Sequence, residues 1–494
     1  MMKGFDNDKY LKMQSQHIRE RISEFGDKLY LEFGGKLFDD YHASRVLPGF
    51  MPDSKMQMLL HLKEQAEIVI VISASAIAGG KVRGDLGITY DQDVLRLADI
   101  FNHLGLYVGS VTITQYRGEP AADKFREKLS SLGIKSYILR NIPDYPDNIE
   151  YIVSDDGYGR NDYIETTRPL VVVTAPGPGS GKMATCLSQL FHEHKRGVRA
   201  GYAKFETFPI WNLPLKHPVN LAYEAATADL KDVNMIDPFH LDAYGESTVN
   251  YNRDIEIFPV LRAMFERIYG ECPYKSPTDM GVNMAGYCIS DDPAVSEAAK
   301  QEIIRRYYSE VCNIKKGFGS KDALKKIESL LKQSDITPND RKVVSPALIR
   351  EEATGHPASA IEMPDGTITT GKTTELLVSQ SSVLLNALKL LAGIDDEVHL
   401  ISPEALEPIT KLKSGYLDSK DSRLHCNEVL IALSIASAKN EQARMALEQL
   451  DRLKGLEMHT TVIPENSDED ILRRLHINLT CEPRYEFAMN YRNI

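Results

Sequence analysis

Along the first 210 residues the apolar positions alternate between two rhythms. Short continuous runs of β-branched residues, such as Ile68-Val69-Ile70-Val71-Ile72 and Leu170-Val171-Val172-Val173-Thr174, predict strands covered on both faces. Longer stretches with apolar residues every three to four positions predict helices. The order is a helix over 54–65, a strand over 67–73, a helix over 91–104, a strand over 107–114, a helix over 122–131 and a strand over 135–139. A strand over 170–174, a glycine- and proline-rich turn, a helix over 183–195 and a strand over 201–205 follow. Strands separated by helices predict an α/β fold around a mostly parallel, P-loop/Rossmann-like sheet. Ahead of all this, residues 9–31 are expected as one helix ending near Gly34 and Gly35.

From residue 213 the rhythm loosens. Pro214, Pro218, Pro238 and Pro259 are expected to break it into loops and short helices, the clearest over 259–268 and 294–309. Glycines and lysines around a short helix over 315–335 mark the best domain boundary. Beyond it, 343–494 carries strands and helices, including 379–391 and 427–453, enough for a separate α+β domain. The expected organisation is an α/β core over 1–212, a loop-rich helical region over 213–335 and a C-terminal α+β domain over 336–494, with no internal repeat. A length of 494 residues agrees, since it exceeds what one core usually organises.

Hydrophobic residues at 43% and charged residues at 26% exclude wholesale disorder and a membrane composition. A net charge of -12 argues against a general nucleic-acid binder. Six cysteines without a C-x-x-C pair suggest reduced thiols rather than zinc ligands or a disulfide framework. The N-terminus has no apolar segment of the signal-peptide kind, and no apolar run is long enough to span a bilayer. A cytoplasmic location is expected.

Two segments compete as phosphate-binding loop. Gly366-Thr367-Ile368-Thr369-Thr370-Gly371-Lys372-Thr373 satisfies G-x-x-x-x-G-K-T letter for letter. Its β-branched interior follows Pro364-Asp365-Gly366, however, which predicts a hairpin and an extended backbone where a phosphate cradle needs curling N–H groups. Pro176-Gly177-Pro178-Gly179-Ser180-Gly181-Lys182-Met183 fits the pattern less well, but it joins a buried strand to a helix. Gly177, Gly179, Ser180 and Gly181 are therefore the expected phosphate cradle, with the helix N-terminus and Lys182 adding positive charge. Met183 stands where a Mg²⁺-binding Ser or Thr is usual, so the metal would need carboxylates, or Ser180 or Thr185. The bland alternative is a glycine-rich connection that binds nothing.

After the helix comes Gly201-Tyr202-Ala203-Lys204-Phe205-Glu206, a strand ending in a lysine and an acid. With Glu224-Ala225-Ala226-Thr227-Ala228-Asp229-Leu230 further on, this layout over about 171–232 resembles the ATP-dependent synthetase branch of P-loop proteins that includes dethiobiotin synthetase and CTP synthase. The resemblance implies Lys204 near a transferred phosphoryl group, and Glu206, Glu224 and Asp229 as holders of Mg²⁺. Taken singly, each acid reads better as a solvated or capping residue, and Lys204 equally well as a snorkelling strand-end lysine.

Over the whole chain, three strings resemble a bacterial family of roughly 500-residue proteins known as a domain of unknown function. They are Gly84-Asp85-Leu86-Gly87-Ile88-Thr89-Tyr90, Asn161-Asp162-Tyr163-Ile164-Glu165-Thr166-Thr167-Arg168-Pro169, and Thr370-Gly371-Lys372-Thr373. The resemblance implies a multidomain cytoplasmic homo-oligomer and assigns no activity. Three readings follow: an enzyme that uses ATP or a related nucleotide for phosphoryl transfer or ligation, a non-catalytic nucleotide or phosphometabolite sensor, and a scaffold with a structural glycine loop. Minor candidates are Arg83-Gly84-Asp85, Asp91 with Asp93, Asp155-Asp156-Gly157, the set Asp39, His42 and Arg45, and a His425–Cys426 pair.

Overall fold

The five expected strands and two further segments form one parallel sheet. The structure is a computed structural model that describes residues 3–26, 28–34, 37–38, 40–83 and 86–486. Gly35, Asp39, Gly84 and Asp85 lie outside them. The strands are β1 (Leu29–Phe33), β2 (Ala66–Ser73), β3 (Tyr107–Tyr116), β4 (Ser136–Arg140), β5 (Leu170–Thr174), β6 (Gly201–Phe205) and β7 (Gly281–Val282). Their spatial order is β7-β6-β1-β5-β2-β3-β4, every pairing parallel. Buried Ile68 to Ile72 and Val171 to Val173 form its centre. The α/β fold class expected from the alternation is the one observed.

Two strands were not legible, the two-residue β7 in the stretch expected as loops and helices, and β1. The expected helix over 9–31 is α1 (Asn7–Glu24) followed by β1. The break comes at Phe25 and Gly26, the latter at φ 70°, and all five β1 residues are buried. A five-residue apolar run has no periodicity that separates a buried strand from a buried helix turn. Pairing with β5 on one side and β6 on the other decides it.

Four further helices matter for the site: α2 (Tyr90–His103), α3 (Pro120–Ser131), α4 (Lys182–Lys195) and α5 (Asn252–Tyr269). Pro259 does not break the chain as expected but lies inside α5. There the buried face of Ile255, Phe258, Leu261, Met264, Phe265 and Ile268 outweighs a proline cost of about 3 kcal/mol. Pro238 sits in the first helical turn of Pro238–Tyr244, where its missing N–H costs nothing.

Contacts divide the chain into two units, one of residues 2–224 and 232–299, the other of 225–231 and 300–494. The second holds a mixed sheet of β8 (Ala358–Glu362), β9 (Ile368–Lys372), β10 (Glu457–Thr460) and β11 (Asn478–Cys481) in the order β9-β8-β10-β11. Buried Arg341 ties it together, pairing with Glu457 and donating to Thr480 Oγ1, Met458 O and Asn478 O. The core joins α6 (Ser379–Ala392) and α7 (Cys426–Ser437) through Leu384, Leu388, Val429 and Leu433. The helix expected over 427–453 is three shorter pieces, the second opening at Asn440, whose side chain caps it. Among the described residues no helix is long and apolar enough to cross a membrane.

Candidate functional site

β5 delivers the chain to the C-terminal edge of the sheet, where the glycine turn leads straight into α4. Gly179 and Gly181 take φ of 76° and 81°, the left-handed region that only glycine enters without strain. Gly177 is required for another reason, since a Cβ there would lie 2.2 Å from Tyr90 Oη. Tyr90 ends one of the three strings and starts α2, so two separated motifs meet at this turn. The loop is further fixed by Thr114 Oγ1, which donates to Ser180 O at 2.7 Å, and by Ser180 Oγ, which donates to Gly177 O at 2.8 Å.

The string from Asn161 to Pro169 clamps the strand behind the loop. The Asn161 side chain accepts from Arg140 N at 2.7 Å and donates to Ser188 Oγ at 3.0 Å. Asp162 accepts from Ile138 N at 2.8 Å, and Ile164 N donates to Gln189 Oε1 at 2.8 Å. Buried Glu67 accepts from the backbone N–H groups of Thr167 and Arg168 at 2.7 and 3.2 Å. These bonds join β2, β4, the segment entering β5 and α4, and so hold the loop strand in place.

A cavity of about 920 Å³ opens over the loop, lined among others by Glu32, Thr114, Arg117, Arg140, Tyr145 and the segment from Gly179 to Ala184. Inside α4 the first helical backbone donor is Thr185 N, to Gly181 O at 2.9 Å. The N–H groups of Lys182, Met183 and Ala184 precede it and have no helical acceptor. Lys182 and Arg140 form no ion pair among the described residues, while Arg117 donates to Asn141 Oδ1 at 3.1 Å. Three cations, free helix N–H groups and a left-handed glycine pair thus face one cavity. That combination suits an anion with several oxygens.

The other expected site residues are placed differently. The Lys204 ammonium is held by both Asp254 oxygens at 2.7 Å and by Glu206 at 3.0 Å, over the Tyr251 ring. Burial disfavours its charge, but Asp254, Glu206 and Glu32 hold it well above lysine's ordinary value. Burial also pushes the Glu206 carboxyl up to about 7, Asp254 adding to the shift and Lys204 opposing it. Tyr251 Oη donates to the same carboxylate. Among the described residues, the three carboxylates expected around Mg²⁺ form no group spaced for a metal. Glu224 is buried and accepts from Asn234 N at 3.0 Å, and Asp229 is exposed in the turn Ala228–Leu230, within the second unit. Ser180 and Thr185 turn their hydroxyls to Gly177 O and Gly181 O.

Other candidates resolve into architecture. Asp93 is buried between Arg83 and Arg96, Gly157 occupies a turn where a Cβ would strike Tyr151 O at 2.1 Å, and the His42 ring packs on Phe208 and Tyr223. His425 and Cys426 form no nucleophilic pair. Cys426 lies in the apolar core with its thiol pushed up by burial, and His425 Nδ1 meets Asp468 at 2.7 Å. Among the described residues the one group of ligand atoms spaced for a metal is Asp421, His425 and Glu465. Both Asp421 oxygens already accept from Arg423.

Sequence comparison identifies the relatives. The family described as "Domain of unknown function DUF1846, N-terminal" matches residues 3–335, and its C-terminal counterpart matches 339–491. The chain belongs to the DUF1846 family. It is 58% identical over 489 residues to a "UPF0371 protein" of Streptococcus thermophilus, and equally so to one of Streptococcus pneumoniae, with 99% of each chain covered. The kinship implied by the three strings is therefore shown, and it extends over both units of this DUF1846 protein.

Residues that carry the cavity but went unread in the sequence are Glu32, Arg117 and Arg140. Only one had a usable signal. An acid ending the apolar run Leu29-Tyr30-Leu31 suits a strand end at a sheet's ligand edge, provided the run is read as a strand.

Proposed function

We propose that this DUF1846 protein binds a nucleoside phosphate, ATP or a related nucleotide, at residues 176–182 and uses it for phosphoryl transfer or ligation. The observation that carries the reading is the strand–glycine loop–helix turn at the C-terminal edge of a parallel sheet, with Lys182 in no ion pair among the described residues and the first three helix residues, whose N–H groups have no helical acceptor, lining a cavity. Ligands of open α/β sheets gather at that edge, and a helix start there stabilises phosphate without further devices. Phosphoryl transfer needs little covalent chemistry from the protein, chiefly positioning and positive charge. Arg117, Arg140 and Lys182 supply that charge. The aromatic and apolar walls from Leu139, Ile142, Pro143 and Tyr145 suit a base or another flat group.

A second reading has one observation in its favour. Lys204, the residue expected to act on the transferred group, is fully occupied by Asp254 and Glu206, which favours a nucleotide sensor without turnover. Calorimetry with ATP, ADP and AMP on the wild type and Lys182→Ala tests the shared premise. Unchanged affinity in the variant removes the loop assignment. Product formation with Mg²⁺ then separates enzyme from sensor.

A further inference from the structure

β1 lies between the strand that enters the glycine loop and the strand that follows the loop's helix. Glu32 stands level with Val173 of β5 on one side and Lys204 of β6 on the other, one strand spacing, about 4.8 Å, from each. It is only 7% exposed, yet it lines the cavity together with Gly179, Gly181 and Lys182. Tyr202 Oη donates to its Oε2 at 2.7 Å. Its Oε1 has no hydrogen-bond partner among the described residues, and no cation lies within ion-pair distance of it there. Lys204, its neighbour in register, holds Asp254 and Glu206 instead.

A buried carboxylate with one oxygen left without a hydrogen bond, and with the Lys204 charge beside it tied to Asp254 and Glu206, is expensive to keep. A cation that arrives with the ligand removes that cost. We propose that Glu32 is the metal-anchoring acid of this site, taking a hard divalent cation such as Mg²⁺ together with the phosphate oxygens at residues 176–182. This rests on the phosphate-loop reading above. Mg²⁺ binds through one or two carboxylates plus phosphates and water rather than through a protein cage, so one aimed oxygen suffices. The remaining donors at the loop do not compete: Met183 has no hydroxyl, those of Ser180 and Thr185 are engaged with loop carbonyls, and Asp144, the other acid lining the cavity, is exposed. Glu32 replaces the set Glu206, Glu224 and Asp229, and Tyr202 is its positioning residue, fixing one oxygen so that the other faces the cavity.

The test uses the full chain and two probes. Calorimetry measures ADP affinity with Mg²⁺ and with chelator, and Mn²⁺ electron paramagnetic resonance measures cation bound in the ADP complex. In the wild type Mg²⁺ tightens ADP binding and Mn²⁺ is immobilised. In Glu32→Gln metal-free ADP affinity is retained, the tightening disappears and Mn²⁺ affinity falls by roughly 10–100-fold. Glu32→Asp, which keeps a carboxylate, retains part of both effects, and Asp144→Asn retains all of both. Persistence of the Mg²⁺ effect and the Mn²⁺ signal in a folded Glu32→Gln, or their loss in Asp144→Asn, overturns the assignment while leaving the nucleotide site standing. A wild type that binds ADP neither with nor without metal overturns the loop reading and this inference with it.

Discussion

Two segments of this protein carry a glycine-lysine signature, and they fold into opposite things. Residues 366–373 match the phosphate-loop pattern completely, yet β8 and β9 pair antiparallel across them, with Asp365 accepting from Thr367 and Gly366 at φ 84° in the turn. The second glycine of that match, Gly371, has a packing role, since a Cβ there would lie 2.3 Å from Val383 N of α6. Residues 176–183 match poorly, yet they curl from a buried parallel strand into a helix N-terminus. What separates the two is the element on each side. A β-branched interior extends the backbone and spends its N–H groups on a neighbouring strand, whereas those of Gly179, Ser180 and Gly181 have no acceptor among the described residues.

Exchanging lysines breaks the comparison most sharply. Lys182→Ala is expected to weaken nucleotide binding by roughly 10–100-fold, the worth of a charge-assisted contact, while Lys372→Ala leaves calorimetric affinity unchanged. Equal losses from both would show that the loop is not distinguished by its fold. Glycine substitutions come next. Gly371→Ala forces α6 away from β9 and is expected to destabilise the second unit by about 1–3 kcal/mol, read by denaturant unfolding, without altering nucleotide binding. Gly181→Ala has the reverse signature. Its φ of 81° and a Thr114 Oγ1 only 3.0 Å from the new Cβ cost about 1–2 kcal/mol, and affinity falls because the cradle reshapes.

The smallest expected effect is on pH dependence. Burial raises the Glu206 carboxyl to about 7 from a usual carboxylate value, so the folded state holds this proton more tightly than the unfolded chain. The associated stability is complete below the unfolded carboxylate range and is lost as pH rises through about 7. Unfolding midpoints measured from pH 4 to 8 should fall over that window in the wild type and fall less in Glu206→Gln. An identical slope in both places the titration elsewhere. The variant also removes one of the two carboxylates paired with Lys204, so the two readings of Lys204 separate if turnover changes.

Much of the parallel sheet could be read directly. Ile68 to Ile72 and Leu170 to Thr174 read as strands, because their continuous β-branched residues favour an extended backbone and suit cover on both faces. The helix after the glycine turn was legible for a similar reason, with Gly181 ending the loop and Lys182 opening an amphipathic run. The site was only half legible. Its phosphate cradle is contiguous in sequence and announced itself through glycine spacing. Its side walls come from Glu32, Arg117 and Arg140, which lie on three strand ends and share no pattern with the loop.

The chain by itself therefore determined the alternation of strand and helix, the left-handed turn and the family membership carried by its long strings, since each depends on neighbours a few residues apart. Tertiary structure decided the rest. It made residues 29–33 a central strand rather than the tail of a helix, because burial between two parallel neighbours supplies backbone hydrogen bonds that local periodicity does not encode. It paired Lys204 with Asp254 fifty positions away, where the resemblance to the P-loop synthetase branch implies a phosphoryl group. Above all it brought Glu32 to the lining of the cavity, since strand order, fixed by packing the whole sheet, sets which acid lies beside the glycine loop.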